Sequence, residues 1–131
     1  MPAEPEAILL ARAAARGADD KKASELALLD VADVLAVVDL FLLATVANER
    51  QLKAVADNIE QAVREDTERR PMRREGTPES GWLVLDYGDV VCHVFGQEER
   101  EFYDLDRLWG DVPALDPLTG ESVRAAVGGG E

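Results

Sequence analysis

The sequence predicts an α/β protein in which a mixed β-sheet is packed with helices. Three observations carry this. Asp39 to Val46 is apolar on both faces, as a central strand buried on both sides should be. A capped amphipathic helix follows it directly, beginning at Asn48. Trp82–Asp86 and Val90–Phe95 are two β-rich runs joined at Tyr87-Gly88-Asp89, a hairpin signal.

The elements follow in order. Residues 4–22 read as an amphipathic helix with Ile8, Leu9, Ala11 and Ala15 toward one side, weakened by Gly17 and Asp19-Asp20. Ser24 to Val31 reads as a strand. Ala32 to Val38 is ambiguous between a helical turn and continuing strand, since short apolar runs do not reveal their period. Asn48 and Gln51 have capping-box spacing, and Leu52, Val55, Ala56, Ile59, Ala62 and Val63 recur at helical intervals. That helix runs to about Glu68 and stops ahead of Pro71. Residues 71–81 read as a polar loop. Gln97 to Leu108 reads as one short helix with Phe102 and Leu105 turned inward. The remainder, with Pro113, Pro117 and a terminal triple glycine, reads as a disordered tail. The organisation expected is an N-terminal helix (1–23), an α/β domain (24–109) and that tail (110–131).

Composition bounds the chemistry. Charged residues are 31% and hydrophobic ones 47% of 131 residues, an ordinary composition for one globular domain. Cys92 stands alone, which fits a reducing compartment. No signal peptide is apparent, and the apolar stretch from Val31 to Ala47 is short and interrupted by Asp33 and Asp39, so a cytoplasmic location is expected. Fourteen cations against 27 carboxylates give a net charge of −13, which repels phosphate backbones and suits a basic protein partner. The run Arg69-Arg70-Pro71-Met72-Arg73-Arg74 reads as a solvated loop offsetting nearby acids, so no dominant nucleic-acid contact is expected.

Candidate chemistry is thin. Cys92 and His93, as neighbours on a strand, point to opposite faces and cannot share a metal; no metal and no cofactor are expected. Asp86 and Asp89 could hold magnesium as a carboxylate pair, but they equally favour the turn between them by binding backbone amides. No phosphate-binding loop, dinucleotide fingerprint or nucleophile elbow is present. All the Trp and Tyr residues fall between positions 82 and 109. Trp82 and Tyr103 suit interface anchors, with Asp86, Asp89, His93 and Arg100 as a polar rim, while Trp109 suits the core.

Trp82, Asp86, Gly88, Asp89, Val91, His93, Phe95, Arg100, Tyr103, Leu105, Leu108 and Trp109 form the series W-x3-D-x-G-D-x-V-x-H, then R-x2-Y-x-L-x2-LW. This series resembles the Iojap-like ribosomal silencing factors (RsfS), over roughly residues 24–109. Glu75-Gly76 also matches a family dipeptide. The resemblance implies a nucleotidyltransferase-like topology without catalytic motifs. It also implies a translation repressor that binds ribosomal protein number fourteen of the large ribosomal subunit, sterically blocks joining of the small subunit, and self-associates as a homodimer when free. The family's usual Thr-Asp is Val38-Asp39 here, so only Asp39 carries over, and the usual small Gly/Ser-rich turn is replaced by Val46-Ala47-Asn48. The partner-binding set expected is therefore Trp82, Asp86, Tyr87, Asp89, His93, Arg100 and Tyr103, with Asp39. The competing expectations are a magnesium-dependent nucleotidyltransferase and a homodimeric adaptor for another basic protein.

Overall fold

The computed structural model describes residues 2–124. The elements are α1 (Pro5–Asp20), β1 (Ser24–Asp30), β2 (Leu40–Val46), α2 (Glu49–Thr67), β3 (Arg73–Thr77), a 3₁₀ turn (Pro78–Ser80), β4 (Trp82–Asp86), β5 (Val90–Gly96), α3 (Gln97–Tyr103), α4 (Leu105–Leu108), β6 (Ala114–Leu115) and β7 (Ser122–Arg124). The strands form one sheet in the order β3-β4-β5-β2-β1-β6-β7. β2 and β5 pair in parallel, with Leu40 opposite Val90 and Val46 opposite Gly96. Their neighbours pair antiparallel. The expected α/β class with a mixed sheet is what forms.

Period-two alternation assigns each strand residue a face. Leu28, Leu40, Leu42, Ala44, Leu83, Leu85, Cys92 and Val94 point to one side and are buried with α1 and α2 in one core. α1 is part of this core rather than an appendage. Its alanines and Gly17 allow close approach to α2: a Cβ at Gly17 would lie 2.7 Å from the Asn58 carbonyl oxygen. Asn58 Nδ2 donates to the Gly17 carbonyl across the same contact at 2.7 Å. Gly17 therefore serves packing, and the helix continues through it to Asp20.

The start of α2 follows the capping pattern. Asn48 Oδ1 accepts from the Gln51 backbone at 2.8 Å, while Gln51 Oε1 reaches back to the Ala47 amide at 2.6 Å. Glu68 ends the helix in the left-handed region.

Three expectations are corrected. Residues 71–81 are not a loop: Arg73–Thr77 pair with β4 as an edge strand, and all five are exposed. A strand that buries no side chain carries no hydrophobic alternation, and its charges suit a sheet edge. Gly76 is required there, because its φ of +89° lies in the left-handed region and a Cβ would collide with the Trp82 carbonyl. The tail from residue 110 is likewise structured as far as residue 124, since β6 pairs with β1 and β7 with β6; residues 125–131 lie outside the described residues. Asp116 Oδ1 holds the connecting turn through the amides of Leu118 and Thr119. Lastly, the helix expected over residues 97–108 is broken at Asp104, which has φ +51°. Phe102 faces solvent rather than the core, at 80% exposure. The ambiguous segment 32–38 is a turn in which the Val34 and Leu35 amides donate to the Val31 carbonyl.

A part-open aromatic face as the candidate functional site

The second side of the sheet carries Ala27, Leu29, Phe41, Leu43, Trp82, Val84, Val91, His93 and Phe95. Leu29, Leu43 and Phe95 are buried beneath Leu105, Trp109 and Val112. Toward β4 the cover stops, leaving Trp82, Val84, Val91, His93 and Phe41 part-exposed.

These side chains form one connected aromatic cluster. Phe41 meets the rings of His93 and Trp109 edge-on, each with centroids 5.3 Å apart. Trp82 lies 5.4 Å from Phe95 and 4.5 Å from Tyr103, which is 51% exposed. Offset and edge-on contacts of this kind fix ring orientation as well as burying area. Trp82 Nε1 donates to His93 Nδ1 at 3.1 Å, so the neutral imidazole carries its proton on Nε2.

Burial lowers the His93 pKa from 6.5 to about 4. Between those values the unfolded chain binds a proton that the folded chain refuses. The stability contributed by neutral His93 is therefore complete above the unfolded value and declines as the pH falls toward about 4, by up to about 1.4 kcal/mol per pH unit. Thermal melts across this window should show a shallower pH slope for His93→Gln than for the wild type; equal slopes would remove His93 as the titrating group.

The expected site residues thus separate. Trp82, His93 and Tyr103 converge on the open face. The side chains of Asp86, Tyr87, Asp89, Arg100 and Asp39 lie outside this cluster, and each has another structural task. Asp86 Oδ1 accepts from the Gly88 amide at 2.8 Å, and Arg73 lies 3.5 Å from its second oxygen. Asp89 is gripped by both terminal nitrogens of Arg69, at 3.0 and 2.9 Å, and these bonds raise the Arg69 pKa. Arg74 pairs with Asp57 and Glu60, so three arginines of the basic run are neutralised locally. Asp39 accepts from the Glu4 amide at 3.0 Å, and Asp30 accepts from the Ala3 amide at 3.0 Å, so two carboxylates tie the lead-in to α1 to the end of β1 and the start of β2.

Tyr87 belongs to the helical side with Leu83 and Leu85 and is fully buried. Its hydroxyl has no hydrogen-bond partner, and desolvation raises its pKa. Tyr87→Phe should therefore stabilise the fold, by about 1 kcal/mol, because an unsatisfied buried hydroxyl disappears. A lower melting temperature in this variant would show instead that the hydroxyl is partnered through an internal water. Arg100 is buried beneath α3, donating to Thr45 Oγ1 at 2.9 Å and to the Glu25 carbonyl, with its guanidinium 5.8 Å from the Phe95 ring centroid.

Phe41, Val84, Val91 and Phe102 were not anticipated. Strand parity could have found the first three, since Phe41 alternates with the buried Leu40 and Leu42. Cys92 lies on the helical side, opposite His93, and burial pushes its thiol up to about 12. Among the described residues, no three His, Cys, Asp or Glu side chains are grouped to hold a metal ion. Nor, among these residues, is any helix long and apolar enough to cross a membrane.

Fold and site together define a mixed α/β domain with a part-open aromatic sheet face. The family described as ribosomal silencing factor during starvation (RsfS) matches residues 4–127, and the chain belongs to that family. The ribosomal silencing factor RsfS of Bacillus subtilis is 38% identical over 103 residues, covering 79% of this chain and 86% of the relative. The RsfS of Halalkalibacterium halodurans is 35% identical, covering 82% and 91%. The chloroplastic protein Iojap of Zea mays is 24% identical over 111 residues, about half (48%) of that longer protein. A crystal structure of a Chromobacterium violaceum protein superposes with a TM-score of 0.72 at 29% identity, covering 77% of this chain and 83% of that one. One from Bacillus halodurans gives 0.67 at 33% identity, covering 79% and 93%. The family resemblance read from the motif holds, and the relatives are named for a regulatory role.

Proposed function

We propose that this protein silences ribosomes by docking its aromatic face on the large subunit, through ribosomal protein number fourteen, and sterically excluding the small subunit. The observation that carries the reading is the part-open cluster of Phe41, Trp82, His93 and Tyr103 in a family member whose net charge is −13. Trp and Tyr are enriched as interface anchors, and a strongly acidic chain associates fastest with a basic partner. In the free protein the same face is available to a second copy, giving a homodimer that docking would displace. The protein acts in the compartment that holds ribosomes and needs no cofactor.

A nucleotidyltransferase reading is weaker. A pocket does form where β2 and β5 end against the start of α2. However, Glu49, Glu79, Glu98 and Glu99 line it, with no Lys or Arg, and such a field opposes a triphosphate. The test is co-sedimentation with isolated large subunits, small subunits and joined ribosomes across a salt series. Binding to large subunits alone, with less joining as protein is added, is the expected result. Absence of binding at low salt would overturn the reading.

A further inference from the structure

At one end of the aromatic face the 3₁₀ turn and α3 enclose a cup of about 590 Å³, lined by Ser80, Trp82, Glu98, Glu99, Phe102 and Tyr103. Three aromatic rings form its walls. Tyr103 stands 4.5 Å from Trp82 and meets Phe102 edge-on at 5.0 Å. Phe102 and Tyr103 are largely exposed, so neither owes its position to the core. Glu98 and Glu99 form no hydrogen bond or ion pair within the described residues, in contrast to their neighbour Glu101, which Gln97 holds at 2.7 Å. No Lys or Arg lines the cup. Arg100, the cation of the same helix, is turned under it toward Thr45.

This combination selects its ligand by exclusion. An anion meets two carboxylates in a chain already strongly negative. An aliphatic side chain gains from the rings but strips water from those carboxylates without replacing it. A cation satisfies both, through the negative π-faces and the carboxylate oxygens. Among cations, a guanidinium stacks flat on a ring while its edge forks to a carboxylate, which a compact ammonium cannot do. We propose that this cup receives an arginine side chain projected by the basic protein on which the face docks. The identity of that protein rests on the docking reading above; the chemistry of the cup does not.

The test uses the full chain and two probes. The first is a titration with N-acetyl-arginine amide, followed by the NMR signals of the Trp82 indole and the Phe102 and Tyr103 rings, with the neutral isostere N-acetyl-citrulline amide as control. Saturable shifts with the arginine probe are expected. They should be absent with citrulline and weakened about tenfold in Glu98→Gln/Glu99→Gln. No saturable shift at millimolar probe, or equal shifts with citrulline, would overturn the proposal. The second measurement is docking of that double variant on isolated large subunits, where a loss of about tenfold and a shallower salt dependence are expected. Unchanged affinity in the variant, with the wild type docking normally, would overturn it as well. A wild type that fails to dock at all ends the ribosomal reading instead, and the cup then stands or falls on the titration.

Discussion

Trp82→Ala is expected to weaken docking on the large subunit by roughly thirtyfold, about 2 kcal/mol, while the variant still folds. Trp82 touches His93, Phe95 and Tyr103, and so it joins the sheet side of the face to the α3 side. Its removal deletes an anchor, leaves His93 Nδ1 without its donor, and frees Tyr103 from the ring that orients it. These losses fall on the open face and on its contact with the buried Phe95. The core on the helical side, from Leu42 through Leu85 to Val94, is untouched. Glu98→Ala is the appropriate comparator, because it deletes one solvated charge and leaves Glu99 in place; exposed charges of this kind contribute about 1 kcal/mol or less. Sedimentation titrations of both variants at a temperature where both are folded decide the matter. Equal, small losses would remove Trp82 as the anchor.

Why some of this was legible in the sequence and some was not follows from where each signal resides. The start of α2 was readable because Asn48 and Gln51 are local: the bonds that fix the end lie within four residues. The alternation of β4 and β5 was readable for the same reason, and it carried Trp82 and His93 to one face. β3 was not, since its place in the sheet is set by backbone pairing to β4 and by Gly76, with no side-chain pattern of its own. β6 and β7, two and three residues long, are too short to show any period.

At the site, what was not legible concerns charge and reach. Arg100 reads as a surface residue because arginine is usually solvated, yet its partners Glu25 and Thr45 are 75 and 55 residues away in the chain. Tyr87 continues the alternation of Leu83 and Leu85 one step past the strand and is buried with them, whereas as a turn residue it reads as an exposed contact. Asp86 and Asp89 were legible as turn residues, but the arginines that engage them were not: Arg73 meets Asp86 only through the pairing of β3 with β4, and Arg69, ahead of β3, is 20 residues from Asp89.

The burial of Arg100 leads to the second large effect. Arg100→Ala is expected to destabilise the fold by about 3 kcal/mol, since it strands the Thr45 hydroxyl and the Glu25 carbonyl and opens a cavity above Phe95. Glu25 has φ +50°, at an irregularity in the pairing of β1 with β2. Its carbonyl is aimed at the guanidinium rather than into the ladder, so one side chain of α3 fixes a strained point of β1 and a hydroxyl of β2 together. Arg100→Lys keeps the charge without the fork and should recover only part of the loss. Urea titration should show a lower midpoint for both variants at an unchanged slope, which is the signature of lost stability in the same two-state transition. The folded fraction of either variant should still dock on the large subunit with nearly wild-type affinity, because Arg100 is only 7% exposed. A variant with wild-type stability that had lost docking would reverse the assignment and return Arg100 to the contact surface.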